Sequence, residues 1–108
     1  MTTLIVTRHP GAVAWLQSRG VEGDIVSHLD PGQVGAGDRV YGVLPVHLID
    51  ECLRRGAEVF ILQLPQIPPE LRGKEITAED MDRLGVKVYE VASLQLREVD
   101  LREGGGGE

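Results

Sequence analysis

Short apolar runs rich in β-branched residues recur along the chain, and glycine or proline separates them. Runs of this length and composition are typical of buried strands, because branched side chains pack well on a pleated surface. They predict strands at residues 3–7, 24–28, 39–42, 58–64 and 86–92.

Between these strands the apolar residues recur every three to four positions, which is the spacing of amphipathic helices. The first helix begins at Pro10, whose missing N–H suits a first helical turn, and stops at Gly20. The second is expected over about residues 44–55. The third follows Thr77, an N-cap residue with acidic residues in the next turn, and ends at Gly85.

Strands that alternate with helices indicate an α/β fold with a Rossmann-like, mainly parallel sheet and helices on both faces. The loop at residues 30–38 is rich in glycine, so we expect an irregular crossover between the second and third strands. Residues 94–101 favour one more extended segment, with a bulge between Leu96 and Val99.

Chain length and charge narrow the possible functions. The 108 residues suit one domain, which we place at residues 1–103, with a flexible glycine-rich tail at 104–108. The net charge of −6 argues against a partner such as long nucleic acid, which requires a basic face. A small anionic ligand remains compatible, because a pocket needs only a local group of cations.

The single cysteine, Cys52, excludes an internal disulfide and a cysteine metal site, and its apolar helical setting predicts a buried thiol. Trp15 lies beside the apolar face of the first helix, where it would cap the sheet or form a dimer contact. No apolar run approaches the length of a membrane span, and the N-terminus has no basic leader. We therefore expect a cytoplasmic protein without a membrane partner.

Three segments leave the carboxyl ends of predicted strands, at residues 7–11, 42–47 and 64–75. In open α/β sheets ligands bind outside these strand ends. Each segment carries polar or basic side chains. Their convergence at one edge is the main indication of a binding site.

The loop after the first strand reads Thr7-Arg8-His9-Pro10-Gly11-Ala12. Free N–H groups at a helix start suit a phosphate, and Arg8 adds a planar cationic donor. Gly11 would let a ligand approach the backbone. A plain strand-to-helix turn with a capping histidine explains the same residues.

Two further segments carry candidate chemistry. Leu44-Pro45-Val46-His47 places His47 in the first turn of a helix, where an imidazole can exchange protons or cap. Arg72-Gly73-Lys74 sets two cations around a glycine, so that both heads and an amide can reach one phosphate. A solvated charged loop, with Glu70 or Glu75 as partners, explains the latter equally well.

Two other kinds of site share residues with these motifs, namely the active site of histidine phosphatases and a three-histidine zinc site. The Arg8-His9 pair is similar to the opening of histidine phosphatases, but Pro10 replaces their glycine and the chain is too short for that fold. His9, His28 and His47 provide the ligand types of a zinc site, yet their spacing does not require one. We therefore expect no metal.

In combination, residues 6–12, 42–48 and 71–75 together with 77–81 resemble a small stand-alone Csx-type accessory family encoded beside type III CRISPR systems. The resemblance covers about residues 3–92. It implies a Rossmann-like fold of the kind that binds cyclic oligoadenylates across a homodimer interface. It also implies ring nuclease activity, which is cleavage of cyclic tetra-adenylate to linear products, without a metal or other cofactor.

On this resemblance, the residues expected to act in catalysis are Arg8, His9 and His47. Those expected to bind the ligand are Thr7, Pro10, Gly11, Ala12, Leu44, Pro45, Arg72, Gly73 and Lys74. Arg8 and the amides of Gly11 and Ala12 would hold a phosphate, and a histidine would transfer the proton. Two other functions stay open, namely a module that binds the ring without cutting it and an interaction subunit of a CRISPR effector complex.

Overall fold

The computed structural model describes residues 1–102, which form a five-stranded sheet in the order β2-β1-β3-β4-β5. The first four strands are parallel, and β5 runs antiparallel to β4. This confirms the mixed α/β fold with a mainly parallel sheet. The strands are β1 (Thr3–Val6), β2 (Asp24–Val26), β3 (Arg39–Gly42), β4 (Glu58–Gln63) and β5 (Lys87–Glu90).

Helices cover both faces of the sheet, as the alternation of elements predicted. On one face α1 (Pro10–Ser18) packs against α3 (Ala78–Leu84), and on the other α2 (Val46–Arg54) packs against β4. Two apolar cores result, one on each side of the sheet. In β1 the neighbours Ile5 and Val6 belong to opposite cores, because successive strand side chains point to opposite faces.

Local signals set the helix ends close to their predicted places. Pro10 is the first residue of α1, and His9 caps that helix. Thr77 and Asp80 form a reciprocal capping box at the start of α3, which ends at Gly85 in the left-handed conformation.

Two sequence predictions need correction, and the structure decides between the two placements of Trp15. Strand β2 ends at Val26 rather than residue 28, where the chain bends away. Residues 94–101 form no strand; they follow β5, the last strand of the sheet, and pair with none of the strands. Trp15 is buried in the core on the α1 side of the sheet, in one cluster with Ile5 and Leu62, and its indole N–H donates to Asp82 at 3.3 Å, so of its two predicted placements it covers the sheet.

Other expectations hold within the described residues. The crossover from β2 to β3 is irregular and contains only a 3-10 turn at Pro31–Gln33. Cys52 is fully buried, as its helical setting predicted, and burial raises the pKa of its thiol. No helix in residues 1–102 is long and apolar enough to cross a bilayer. The tail predicted at 104–108 lies outside the described residues.

Candidate functional site

The topology places the carboxyl ends of β1, β3 and β4 side by side at one edge of the sheet, because these neighbouring strands are parallel. We call this the carboxyl edge. The chain order reverses between β1 and β3, where the helices that follow the two strands go to opposite faces. This is the position at which doubly wound sheets bind ligands.

The loop between β1 and α1 is organised by His9. Its Nδ1 accepts a hydrogen bond from the amide of Ala12 at 3.3 Å, and its own amide donates to the Thr7 hydroxyl at 3.1 Å. A neutral imidazole that accepts at Nδ1 carries its proton on Nε2. His9 is therefore a half-buried capping residue in this structure, and the Ala12 amide expected to hold a phosphate is already paired.

Gly11 is buried, and its missing side chain serves a contact within the chain. A Cβ at this position would lie 2.6 Å from the carbonyl oxygen of Ile76. The space expected to admit a ligand is thus filled by backbone. The contact fastens the end of the loop after β4 to the start of α1, and so brings two of the three predicted segments together.

Arg8 points to a partner on the neighbouring strand connection. Its Nη2 lies 2.8 Å from Nε2 of His28, and both residues are exposed. Because a guanidinium can only donate, the His28 nitrogen accepts. The sequence analysis did not place His28 beside Arg8. The signal was present, since Ile5-Val6-Thr7-Arg8 and Ile25-Val26-Ser27-His28 follow one pattern, and Ile5 and Val6 pair in register with Ile25 and Val26.

The second segment leads into α2. Leu44 packs against the core on the α2 side, and the exposed Pro45 is the N-cap residue. His47 is exposed in the first turn, where it borders an open groove of about 450 Å³. The other residues of this groove all belong to α2 or its end, and they are Asp50, Glu51, Arg54 and Arg55. The structure thus places His47 along an ion-paired helix face and shows no contact of it with Arg8.

The third segment is an exposed turn in the loop after β4. Arg72 donates from Nε to the carbonyl of Ile67 at 3.4 Å, and the Lys74 amide donates to Leu71 at 3.1 Å. Gly73 has a φ of +80°, which closes the turn. The Arg72 and Lys74 side chains are exposed. They belong to the loop after β4, which approaches the start of α1 at Ile76.

A fourth cation at the carboxyl edge, Lys87, was not predicted from the sequence. Because β5 is antiparallel, it begins where β4 ends, and Lys87 is the register partner of Gln63. A strand with parallel orientation would have placed this lysine at the opposite edge. Its sequence context holds no signal for strand direction.

The charges of the carboxyl edge differ from those elsewhere on the surface. Six arginines form ion pairs with carboxylates, namely Arg19, Arg39, Arg54, Arg55, Arg83 and Arg102. Within residues 1–102, none of the four edge cations Arg8, Arg72, Lys74 and Lys87 forms such a pair. The four side chains are therefore not engaged by a carboxylate and can meet an anion, although Glu70 and Glu75 lie in the same loop as Arg72 and Lys74.

Apolar side chains accompany these cations. Val43 follows β3 and Val46 begins α2, and both are more than half exposed, at 52% and 58%. Leu64 follows β4 and is 36% exposed. Cations beside exposed apolar groups suit a ligand that combines phosphates with aromatic bases, or a second protein surface.

The described part of the chain does not assemble a metal site. No group of three histidine, cysteine, aspartate or glutamate side chains there could hold a metal ion. His9, His28 and His47 are held in different contacts, with Ala12, with Arg8 and along α2. The three-histidine zinc arrangement is thus not formed within residues 1–102.

Residues 4–93 match the protein family described as "Putative CRISPR-associated protein (Cas_VVA1548)". The match includes every helix of the described residues and, except for Thr3, every strand. No curated protein and no solved structure matches the chain.

Proposed function

Because this chain belongs to the Cas_VVA1548 family of CRISPR-associated proteins, we propose that it is a ring nuclease that cleaves cyclic oligoadenylate and so ends type III CRISPR signalling. The observation that carries the proposal is the group of unpaired cations at the carboxyl edge, Arg8, Arg72, Lys74 and Lys87. Phosphates are the ligands that such cations favour. The favoured substrate is cyclic tetra-adenylate.

The proposed reaction uses a nucleophile that belongs to the substrate. The ribose 2′-oxygen attacks the adjacent phosphorus, the bond from phosphorus to the 5′-oxygen breaks, and a 2′,3′-cyclic phosphate remains. A base takes the 2′-hydroxyl proton, and the departing 5′-oxygen gains one. The protein contributes by holding the phosphate in line and by stabilising its charge, and this route does not call for a metal ion.

The capping bond of His9 defines its part in such a reaction. With Nδ1 accepting from Ala12, the Nε2–H can donate a hydrogen bond to a phosphoryl oxygen. It cannot accept the 2′-hydroxyl proton while it keeps the cap. The proposal therefore assigns proton acceptance to the exposed His47 and phosphate stabilisation to Arg8 and His9.

A homodimer completes the proposed site. The exposed edge carries four unpaired cations per chain, and a two-fold axis would double them around one central ring. Val43, Val46 and Leu64 supply apolar surface for the adenines or for the partner chain. An acidic protein can bind a multiply charged ring in this way because the positive potential is local.

A second function is favoured because two of the histidines already have hydrogen-bond partners. His9 caps α1 and His28 holds Arg8, so two of the three imidazoles already have partners. Binding needs donors and stacking surfaces but no free base. A module that sequesters or senses the cyclic nucleotide without cutting it is thus the alternative.

The deciding experiment incubates the purified protein with radiolabelled cyclic tetra-adenylate in EDTA and separates the products by chromatography. Linear products that accumulate with time support the ring nuclease, and binding without products supports the sequestering module. If neither occurs with this ring or its hexameric relative, both proposals fail. An interaction subunit would then remain, with the exposed Leu96, Val99 and Leu101 as its apolar surface.

A further inference from the structure

Arg8 is held by a neutral acceptor rather than by a carboxylate. Its Nη2 lies 2.8 Å from Nε2 of His28. Since arginine has no acceptor, the lone pair of Nε2 receives the hydrogen bond, and the His28 ring is neutral with its proton on Nδ1. The contact orients the guanidinium and leaves its positive charge in place.

The strand register places these two residues next to each other. Val6 and Val26 are register partners at the ends of β1 and β2, and Arg8 and His28 each follow two residues later. Leu29 then packs into the core on the α2 side, and Asp30 caps the 3-10 turn by accepting from Gly32 at 3.0 Å. His28 therefore stands on an anchored bend beside the loop that carries Arg8.

The chemistry of the partner distinguishes Arg8 from the ion-paired arginines. In those pairs, such as Arg39 with Glu58, the carboxylate cancels the charge that an anion would meet. The His28 imidazole holds the Arg8 side chain in position without neutralising its positive charge. Holding a long side chain in one position before binding also reduces the entropy lost when a ligand arrives.

We infer that His28 is a positioning residue that holds the Arg8 guanidinium ready for a phosphate group of the ligand. The inference rests on the proposed function, because it assigns Arg8 to a phosphate of cyclic oligoadenylate. His28 acts through Arg8 and does not itself exchange a proton with the ring.

The test measures the dissociation constant of cyclic tetra-adenylate for the full chain and its variants. His28→Ala should weaken binding about tenfold, the order expected for losing a hydrogen bond to a charged group. His28→Gln should stay within about twofold of the wild type, since its amide oxygen can accept from Arg8. The control is Glu22→Ala, an exposed change before the amino end of β2, which should bind as the wild type does.

A double-mutant cycle separates positioning from a general structural effect. In an Arg8→Ala background, His28→Ala should cause no further loss, because the residue it positions is gone. Nitrogen NMR of the free protein should find the His28 proton on Nδ1. Equal weakening in both backgrounds, wild-type binding by His28→Ala, or a proton on Nε2 would each overturn the inference.

Failure of the inference and failure of the proposed function give different results. If the wild type binds the ring and His28→Ala binds equally well, only the role of His28 is wrong. If the wild type binds no ring at all, the proposed function is wrong and the inference falls with it.

Discussion

Gly42 lies so close to Val6 that a Cβ on Gly42 would stand 2.1 Å from the carbonyl oxygen of Val6. The two residues are register partners at the ends of β3 and β1, and the amide of Val43 donates to the same oxygen at 3.4 Å. The contact lies at the reversal of strand order, where the candidate site is built. A hydrogen atom is the only side chain that this approach allows.

Gly42→Ala should therefore destabilise the fold by about 3 kcal/mol, because backbone of a central strand would have to move. Urea denaturation followed by circular dichroism measures the change. Gly35→Ala is the matched control, since a Cβ there meets nothing within 4 Å and its φ is not positive. Equal stability of the two variants would show that the β1–β3 contact is looser than described.

Arg8→Ala should abolish cleavage of cyclic tetra-adenylate, because it removes the cation of the loop that follows β1. Arg39→Ala makes the same change of charge at the amino edge of the sheet, where Arg39 pairs with Glu58. That exposed pair contributes little to stability, so this control should cleave at the wild-type rate. Turnover is measured by chromatography of the labelled ring. Wild-type turnover by Arg8→Ala would remove the first loop from the site.

Lys87→Ala tests whether Lys87, which the antiparallel β5 brings to the carboxyl edge, takes part in ligand binding. If Lys87 neutralises a phosphate, its loss should weaken binding several-fold and lower the slope of log affinity against log salt by about 0.7. Arg97→Ala is the charge-matched control, since Arg97 is also without an ion pair within residues 1–102 but belongs to the irregular segment after β5 and to none of the carboxyl-edge loops. An unchanged salt slope for Lys87→Ala would exclude it from the ligand site.

Asp80 should make the stability of the fold sensitive to acid. The pKa of the Asp80 carboxyl is lowered, chiefly by the hydrogen bond from the Thr77 amide. The Thr77 side chain and Arg83 lower it further. A carboxyl with a lowered folded-state pKa stabilises the fold above its unfolded pKa of about 3.9 and loses that contribution as the pH falls through the lowered value.

The difference in unfolding free energy between wild type and Asp80→Asn should accordingly be largest near neutral pH. It should shrink as the pH falls below about 4 and through the lowered folded-state pKa. Urea titrations at several pH values measure it. A difference that grows in acid would contradict the capping role of the ionised carboxyl.

Helix ends and buried strands were predictable because their signals are local. Thr77 with Asp80 satisfies amides within one turn, and Pro10 fixes its own backbone angle. The alternation of strands and helices likewise predicted a mainly parallel sheet, and with it a common edge for the ends of β1, β3 and β4.

The failures have a shared physical reason. Residues 94–101 have an alternating pattern, but a strand forms only by pairing with a neighbour, and these residues leave the sheet after β5 and pair with none of its strands. Gly11 looked open to a ligand, yet Ile76 fills the space, because the loop after β4 folds back over α1. In both cases the outcome depends on a segment distant in sequence.

Periodicity and capping act within a few residues, and they were enough to predict the elements, the sheet covered on both faces and the edge at which cations gather. Which polar groups are free depends on the assembled fold. It paired His9 with Ala12 and Arg8 with His28, and it turned β5 so that Lys87 reached the carboxyl edge. Charge and hydrogen-bond partners depend on which strands become neighbours and in which direction, and that is a property of the assembled sheet.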